Sequence, residues 1–258
     1  MAPRVVRERL LRGAVLACAL LLIACNAEDD GDRFAYVVLG DSLGAGIGAE
    51  VPEEGGYAPL LLGRLSQDAG TPFLNLAWPG LTTGTMIGRG HLDDAVEALA
   101  EGVDGAPVGV VTLTIGGNDG ALLFAPCEEG PTTACRAAAE EVLDGFEENF
   151  TEILRAVVEA APDDARILAV AYYNPLLHPD CRFHEQADLA DEVLEGGAAL
   201  DLDGGLNDRL RQAAEQQDVG VVETFGMLEA EHLRDDCLHP NDAGHAMLAD
   251  RFEEALEQ

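Results

Sequence analysis

The sequence predicts an α/β fold in which helices cover both faces of a five-stranded parallel sheet. Three observations predict it. Short apolar runs of strand length recur through the chain. Between them lie stretches whose apolar residues repeat every three or four positions. Strands that alternate with helices form parallel sheets covered on both sides. The chain of 258 residues, 48% hydrophobic, has apolar material for one such core, and no internal repeat or low-complexity linker divides it.

The elements follow in order. Phe34–Leu39 is an apolar run that stops at Gly40 and reads as the first strand. Pro59–Asp68 carries Leu60, Leu61, Leu62 and Leu65 and reads as a helix, with Gly70 near its end. Phe73–Ala77 is the second strand. His91–Glu101 is helical, with Leu92, Val96 and Leu99 on one face. Val108–Ile115 is a strongly apolar third strand. Ala137–Ala160 is a long amphipathic helix carrying Leu143, Phe146, Phe150, Ile153 and Val157. Arg166–Tyr172 is the fourth strand, Leu202–Gln217 a helix, Val219–Val222 the fifth strand and Ala243–Leu256 the last helix. Two stretches, Gly116–Cys135 and Asn174–Asp201, exceed ordinary loop length, and long irregular segments in a compact domain tend to form functional lids or walls.

The first residues read as a leader. Arg4, Arg7, Arg9 and Arg12 precede a twelve-residue apolar run, Gly13–Ala24, which is short for a membrane span. The run ends in Leu22-Ile23-Ala24-Cys25, which resembles the lipobox of bacterial lipoproteins. That resemblance implies cleavage before Cys25, a lipid on its thiol, and export to the cell envelope with a membrane as partner through that lipid. An ordinary secretory signal or an uncleaved anchor are the alternatives. The expected organisation is a signal peptide over residues 1–24, a lipidated cysteine and short acidic tether over 25–33, and one domain over 34–258.

The chain is strongly acidic, with a formal charge of −33 and no lysine. Without residues 1–24, which carry four Arg and one Glu, the charge becomes −36. Such a surface repels nucleic acid and anionic lipid, so no nucleic-acid partner is expected. Adaptation to high salt and a GC-rich genome both account for the acidity. Beyond Cys18 and Cys25, four cysteines remain, and an even number in an exported chain suggests two disulfides with three possible pairings. The close spacing of Cys127 and Cys135 makes them one local loop and leaves Cys181 for Cys237.

Chemistry gathers where the predicted strands end. Gly40-Asp41-Ser42-Leu43 follows the first strand, and ligands of open α/β sheets bind at that edge. A serine there needs a base before it is a nucleophile. Asn75-Leu76-Ala77-Trp78-Pro79-Gly80 ends the second strand, Gly116-Gly117-Asn118-Asp119 follows the third, and Asp236-Cys237-Leu238-His239-Pro240-Asn241 precedes the last helix. The four blocks, in this order and on these elements, resemble the SGNH (GDSL) hydrolase family over nearly the whole chain after the leader.

The resemblance implies a flavodoxin-like three-layer α/β/α sandwich with strand order 2-1-3-4-5 and neither cofactor nor metal. It implies that Ser42 attacks an ester carbonyl, that His239 takes and returns its proton, and that Asp236 orients the imidazole. The backbone N–H groups of Ser42 and Gly80 and the side-chain amide of Asn118 would then receive the oxyanion. The residue types suit these tasks. Gly80 has no side chain to block an approaching oxygen, Asn118 offers a fixed donor, and Asn241 or Asp242 suits the start of the last helix. Asp41 and Asp119 read as loop braces, although a catalytic role is open to either. Asp235 competes with Asp236, and the family spacing favours Asp236. Trp78 reads as a pocket wall or core residue. His91, His178, His184, His232 and His245 read as surface or helix residues, and His178, Asp180 and His184 as a weak metal candidate. The expected activity is cleavage of acyl or lipid esters. The alternatives are deacetylation of polysaccharide, a non-catalytic binding lipoprotein, and a flavodoxin-like loop in which Ser42 binds phosphate or FMN.

Overall fold

The computed structural model describes residues 33–66 and 70–258. The proposed signal peptide, Cys25 and most of the tether lie outside the described residues, as does Asp68, the predicted end of a helix.

Five parallel strands form the sheet: β1 (Ala35–Gly40), β2 (Phe73–Asn75), β3 (Val108–Thr114), β4 (Arg166–Ala171) and β5 (Gly220–Glu223). Their order is β2-β1-β3-β4-β5, as the resemblance implied. Every residue of β1 is buried, because the strand pairs on both edges and is covered on both faces. Nine helices are described: α1 (Pro52–Gly55), α2 (Tyr57–Leu65), α3 (Thr83–Gly88), α4 (His91–Glu101), α5 (Gly117–Ala121), α6 (Thr133–Ala160), α7 (Ala187–Glu195), α8 (Leu206–Gln216) and α9 (Asp242–Leu256). α2 and α9 pack together on one side. α6 packs with α3, α4 and α8 on the other. One large apolar core lies between the layers and includes Tyr36, Leu39, Leu113, Phe146, Phe150 and Phe252.

The two long segments hold more structure than the sequence suggested. Asn174–Asp201 contains α7 and two short 3-10 turns, Pro175–Leu177 and His184–Gln186. Gly116–Cys135 begins with α5, and α6 starts at Thr133, capped by the Thr132 hydroxyl on the Cys135 N–H. Both predicted disulfides are present, with Cα separations of 4.7 Å for Cys127–Cys135 and 5.1 Å for Cys181–Cys237, within the usual range. Among the described residues no cluster of His, Cys, Asp or Glu could hold a metal ion, and no helix is long and apolar enough to cross a membrane.

Cations are scarce, so arginines are shared. Arg211 reaches Glu195, Asp208 and Glu223, and Arg209 reaches Asp144 and Glu147. Among the described residues most other carboxylates have no cationic partner, and added salt screens the repulsion among them. The melting temperature is therefore expected to rise by several degrees as sodium chloride goes from low to molar concentration. A falling or constant temperature in differential scanning fluorimetry would show that charge repulsion is not limiting.

Candidate active site

The site forms where β1 stops. Gly40 sits at φ +117, and a Cβ there would lie 1.9 Å from the Thr114 carbonyl oxygen, so only glycine fits. The chain then turns sharply. The Asp41 N–H donates to the Thr114 carbonyl (2.7 Å), and the Ile47 N–H donates to the Ser42 carbonyl (2.9 Å). Asp41 braces the turn from inside, accepting the Leu43 N–H on Oδ1 (3.0 Å) and the Tyr172 hydroxyl on Oδ2 (3.0 Å). The result presents the Ser42 hydroxyl at the carboxyl edge of the sheet.

The turn before α9 supplies the partners. Asp236 Oδ1 accepts the N–H groups of Leu238 and His239, both at 3.0 Å, and its Oδ2 lies 2.7 Å from His239 Nδ1. His239 Nε2 lies 2.8 Å from Ser42 Oγ. Serine, histidine and aspartate thus form one continuous hydrogen-bonded line. Burial alone would raise the Asp236 carboxyl. The hydrogen bonds from the His239 imidazole and from the two backbone N–H groups outweigh that effect and hold it below its ordinary value. The turn is pinned elsewhere as well. The Tyr173 hydroxyl donates to the Leu238 carbonyl (2.9 Å), Arg234 Nη1 donates to the Gly48 carbonyl (3.0 Å), and Cys237 is bonded to Cys181. Cys237 has φ +66, a conformation uncommon for a residue with a Cβ. Asn241 caps α9 by accepting the Ala243 and Gly244 N–H groups.

The third and fourth blocks meet beside Ser42. Asn118 Nδ2 donates one hydrogen to the Leu81 carbonyl (2.9 Å), which orients the amide and leaves a second hydrogen. Asp119 accepts the Thr83 N–H (3.0 Å) and hydroxyl (2.6 Å), tying the Asn118 loop to the start of α3. Among the described residues neither the Ser42 N–H nor the Gly80 N–H has a protein acceptor. Ser42, Asn118 and His239 line one cavity, whereas Gly80 stands outside its lining. Gly80 is required for its backbone, with φ +84, and open space surrounds the place of its missing side chain.

One expectation needs correction. Trp78 is neither core nor cavity wall: it is 60% exposed, outside the cavity lining, and its ring is tilted against that of His91. His245 is a helix residue, one of the two readings the sequence left open, and on α9 it is fully buried. Its Nδ1 accepts the Tyr57 N–H (3.2 Å) and its Nε2 therefore donates to the Ile47 carbonyl (3.1 Å), fixing the loop that follows Ser42. Burial lowers its pKa, in keeping with a neutral ring. Asp41 and Asp119 act as the braces the sequence suggested. Tyr172 and Tyr173 were not singled out from the sequence, because their value comes from partners more than sixty residues away.

Asp41 also makes a prediction about pH. It is 2% exposed, and burial raises its carboxyl to about 7. The folded state holds this proton more tightly than the unfolded chain does. The stability it contributes is therefore complete below about pH 4 and is lost as pH rises through about 7. Asn at this position keeps an acceptor for Leu43 and removes the titration. Between about pH 4 and 8 the wild type should lose up to roughly 4 kcal/mol more stability than Asp41→Asn. Parallel stability curves in urea would contradict this.

The cavity runs from Ser42 and His239 between α5 and α7, with about 870 Å³ of atom-free space, its open mouth included. Its walls are mostly apolar.

A profile of the GDSL-like lipase/acylhydrolase family matches residues 38–247. No curated protein matches the chain. Several solved structures share the fold. An extracellular lipase from Streptomyces rimosus is 19% identical, with a TM-score of 0.61 over 86% of this chain and 100% of that one. A phospholipase A1 from Streptomyces albidoflavus NA297 is also 19% identical, with a TM-score of 0.61 over 86% and 99%. An acetylxylan esterase from Geobacillus stearothermophilus is 17% identical, with a TM-score of 0.58 over 87% and 94%. At such identities the likeness speaks for the fold alone.

Proposed function

The chain belongs to the GDSL-like lipase/acylhydrolase family and is a carboxylic ester hydrolase, and on that premise we propose that Ser42, His239 and Asp236 are its catalytic triad, acting on acyl or lipid esters. The observation that carries the proposal is the hydrogen-bonded line from Asp236 Oδ2 through His239 to Ser42 Oγ. Ser42 Oγ attacks the ester carbonyl while His239 Nε2 takes its proton. The carbonyl oxygen gains negative charge and is received by the N–H groups of Ser42 and Gly80 and the free hydrogen of Asn118 Nδ2. Each such donor is typically worth about 3–4 kcal/mol in the transition state. The tetrahedral intermediate collapses, His239 returns the proton to the departing alcohol, and an acyl-enzyme remains. A water activated by the same imidazole then releases the acid. Asp236 stays ionised and stabilises the imidazolium.

The apolar cavity favours longer acyl esters over acetylated polysaccharide, because an acetyl group would leave most of its lining unfilled. Turnover of p-nitrophenyl butyrate without release of acetate from acetylated xylan is the expected result. The reverse pattern would assign the site to carbohydrate. We extend the proposal to location: a leader over residues 1–24, lipid on Cys25 and a site facing outward from a bacterial membrane. A labelled fatty acid fed to expressing cells should enter the protein and be absent from Cys25→Ser. Label retained by that variant would exclude this anchor.

A further inference from the structure

We infer that the cavity beside Ser42 is an acyl chamber, open at its mouth, that selects esters of medium to long straight-chain acids, with Leu189 and Val193 of α7 setting its length. The inference rests on the hydrolase reading above and adds the shape of the substrate. The chamber is continuous from the triad to a second, smaller apolar cluster. Leu123, Cys127 and Val193 line the cavity and also belong to that cluster, together with Cys135, Ala139 and Leu200. The far wall is therefore core, and the Cys127–Cys135 disulfide is part of it.

Apart from Ser42, His239 and the free amide hydrogen of Asn118, the side-chain polar groups in the lining are already engaged. The Tyr172 hydroxyl donates to Asp41, the Tyr173 hydroxyl to the Leu238 carbonyl, and Gln186 Nε2 to the Glu128 carbonyl (3.0 Å). Among the described residues no buried side-chain polar atom lacks a partner. Such a chamber offers hydrocarbon no penalty and offers a sugar or a charged headgroup no compensation for lost water.

Geometry assigns the chamber to the acid half of the ester. His239 must protonate the departing alcohol, and it sits beside Asp236, whose side chain is 42% exposed. The alcohol thus leaves on the wet side of the triad, and the acyl chain has the enclosed side. α7 forms one long wall. Leu189 is half-buried nearer solvent, and Val193 is buried deeper.

The test is the series of p-nitrophenyl esters from acetate to dodecanoate, run on the wild type, Leu189→Trp and Val193→Trp. Each added methylene should raise kcat/KM by up to about fourfold until the chamber is filled. The octanoate-to-acetate ratio should exceed about 100 and should fall at least tenfold, as a rough bound, in each tryptophan variant. Leu189→Trp adds bulk at a half-exposed position and keeps the test open if Val193→Trp does not fold. A flat series, or a ratio unchanged in a folded Leu189→Trp, would overturn the inference. So would a series of alkyl acetates in which the variants respond to the length of the alcohol. Binding of the same uncleaved esters to Ser42→Ala separates the two readings. Affinity that grows with acyl length without any wild-type turnover would sink the hydrolase reading and leave the chamber standing. Affinity independent of length would sink the chamber.

Discussion

Ser42→Ala is expected to abolish ester turnover while leaving the fold intact. The hydroxyl lies 2.8 Å from His239 Nε2 and is the only group on that line able to form the acyl-enzyme. Loss of a serine that works as one unit with its histidine typically lowers kcat by a factor of about 10⁶, and only the oxyanion donors and binding remain to act. The Ser42 hydroxyl also bears little structural load. The turn is held by the backbone of Ile47 and by the Asp41 side chain, neither of which uses Ser42 Oγ. The melting temperature should therefore change by less than a few degrees. Full turnover in a clean preparation of Ser42→Ala would remove the mechanism. A large fall in melting temperature would show that the activity loss was structural.

Loss of the Cys181–Cys237 disulfide is expected to lower stability and rate together. The bridge closes a sequence separation of 56 residues, and removing a native disulfide of this kind typically costs about 2–5 kcal/mol. Its position matters as much as its length. Cys237 stands between Asp236 and His239, at φ +66, and Cys181 packs with Leu176 of the chamber wall. Without the tie, the turn carrying both proton-handling groups keeps the hydrogen bonds of Tyr173 and Arg234 and those within the turn to Asp236. A displacement of about 1 Å can cost on the order of a hundredfold in rate. Cys181→Ala is the cleaner variant, since it leaves the strained position untouched. Measured on a short ester, its kcat should fall well below that of Cys127→Ala, whose effect belongs to the far end of the chamber. Equal losses in the two variants would leave the bridge a general staple with no hold on the triad.

Much of the site was legible because its chemistry is local in sequence. The Gly-Asp-Ser turn, the Gly-Gly-Asn turn and the Asp-x-x-His pair each lie within six residues, and strand alternation carried them to one edge. Both disulfides were legible from the number and spacing of the cysteines. The helix Ala187–Glu195 was not, because four acidic residues and the flanking Gly196 and Gly197 obscure its apolar face of Leu189, Ala190, Val193 and Leu194. The short helix Gly117–Ala121 carries two glycines, poor helix formers, and is held by its place after β3. His245 gave no sign of burial, since its partners are backbone groups of Tyr57 and Ile47 across the fold. The chamber itself belongs to no single stretch. Its walls come from α5, α7 and α8 and exist only once these pack.

The most direct test of the central claim is covalent. A fluorophosphonate probe reacts with a serine whose proton is taken by a histidine base, and digestion followed by mass spectrometry locates the adduct. The account predicts one adduct per chain, on Ser42, absent from Ser42→Ala and strongly reduced in His239→Ala. An adduct on another serine, or ester turnover by a protein that stays unlabelled, would contradict it.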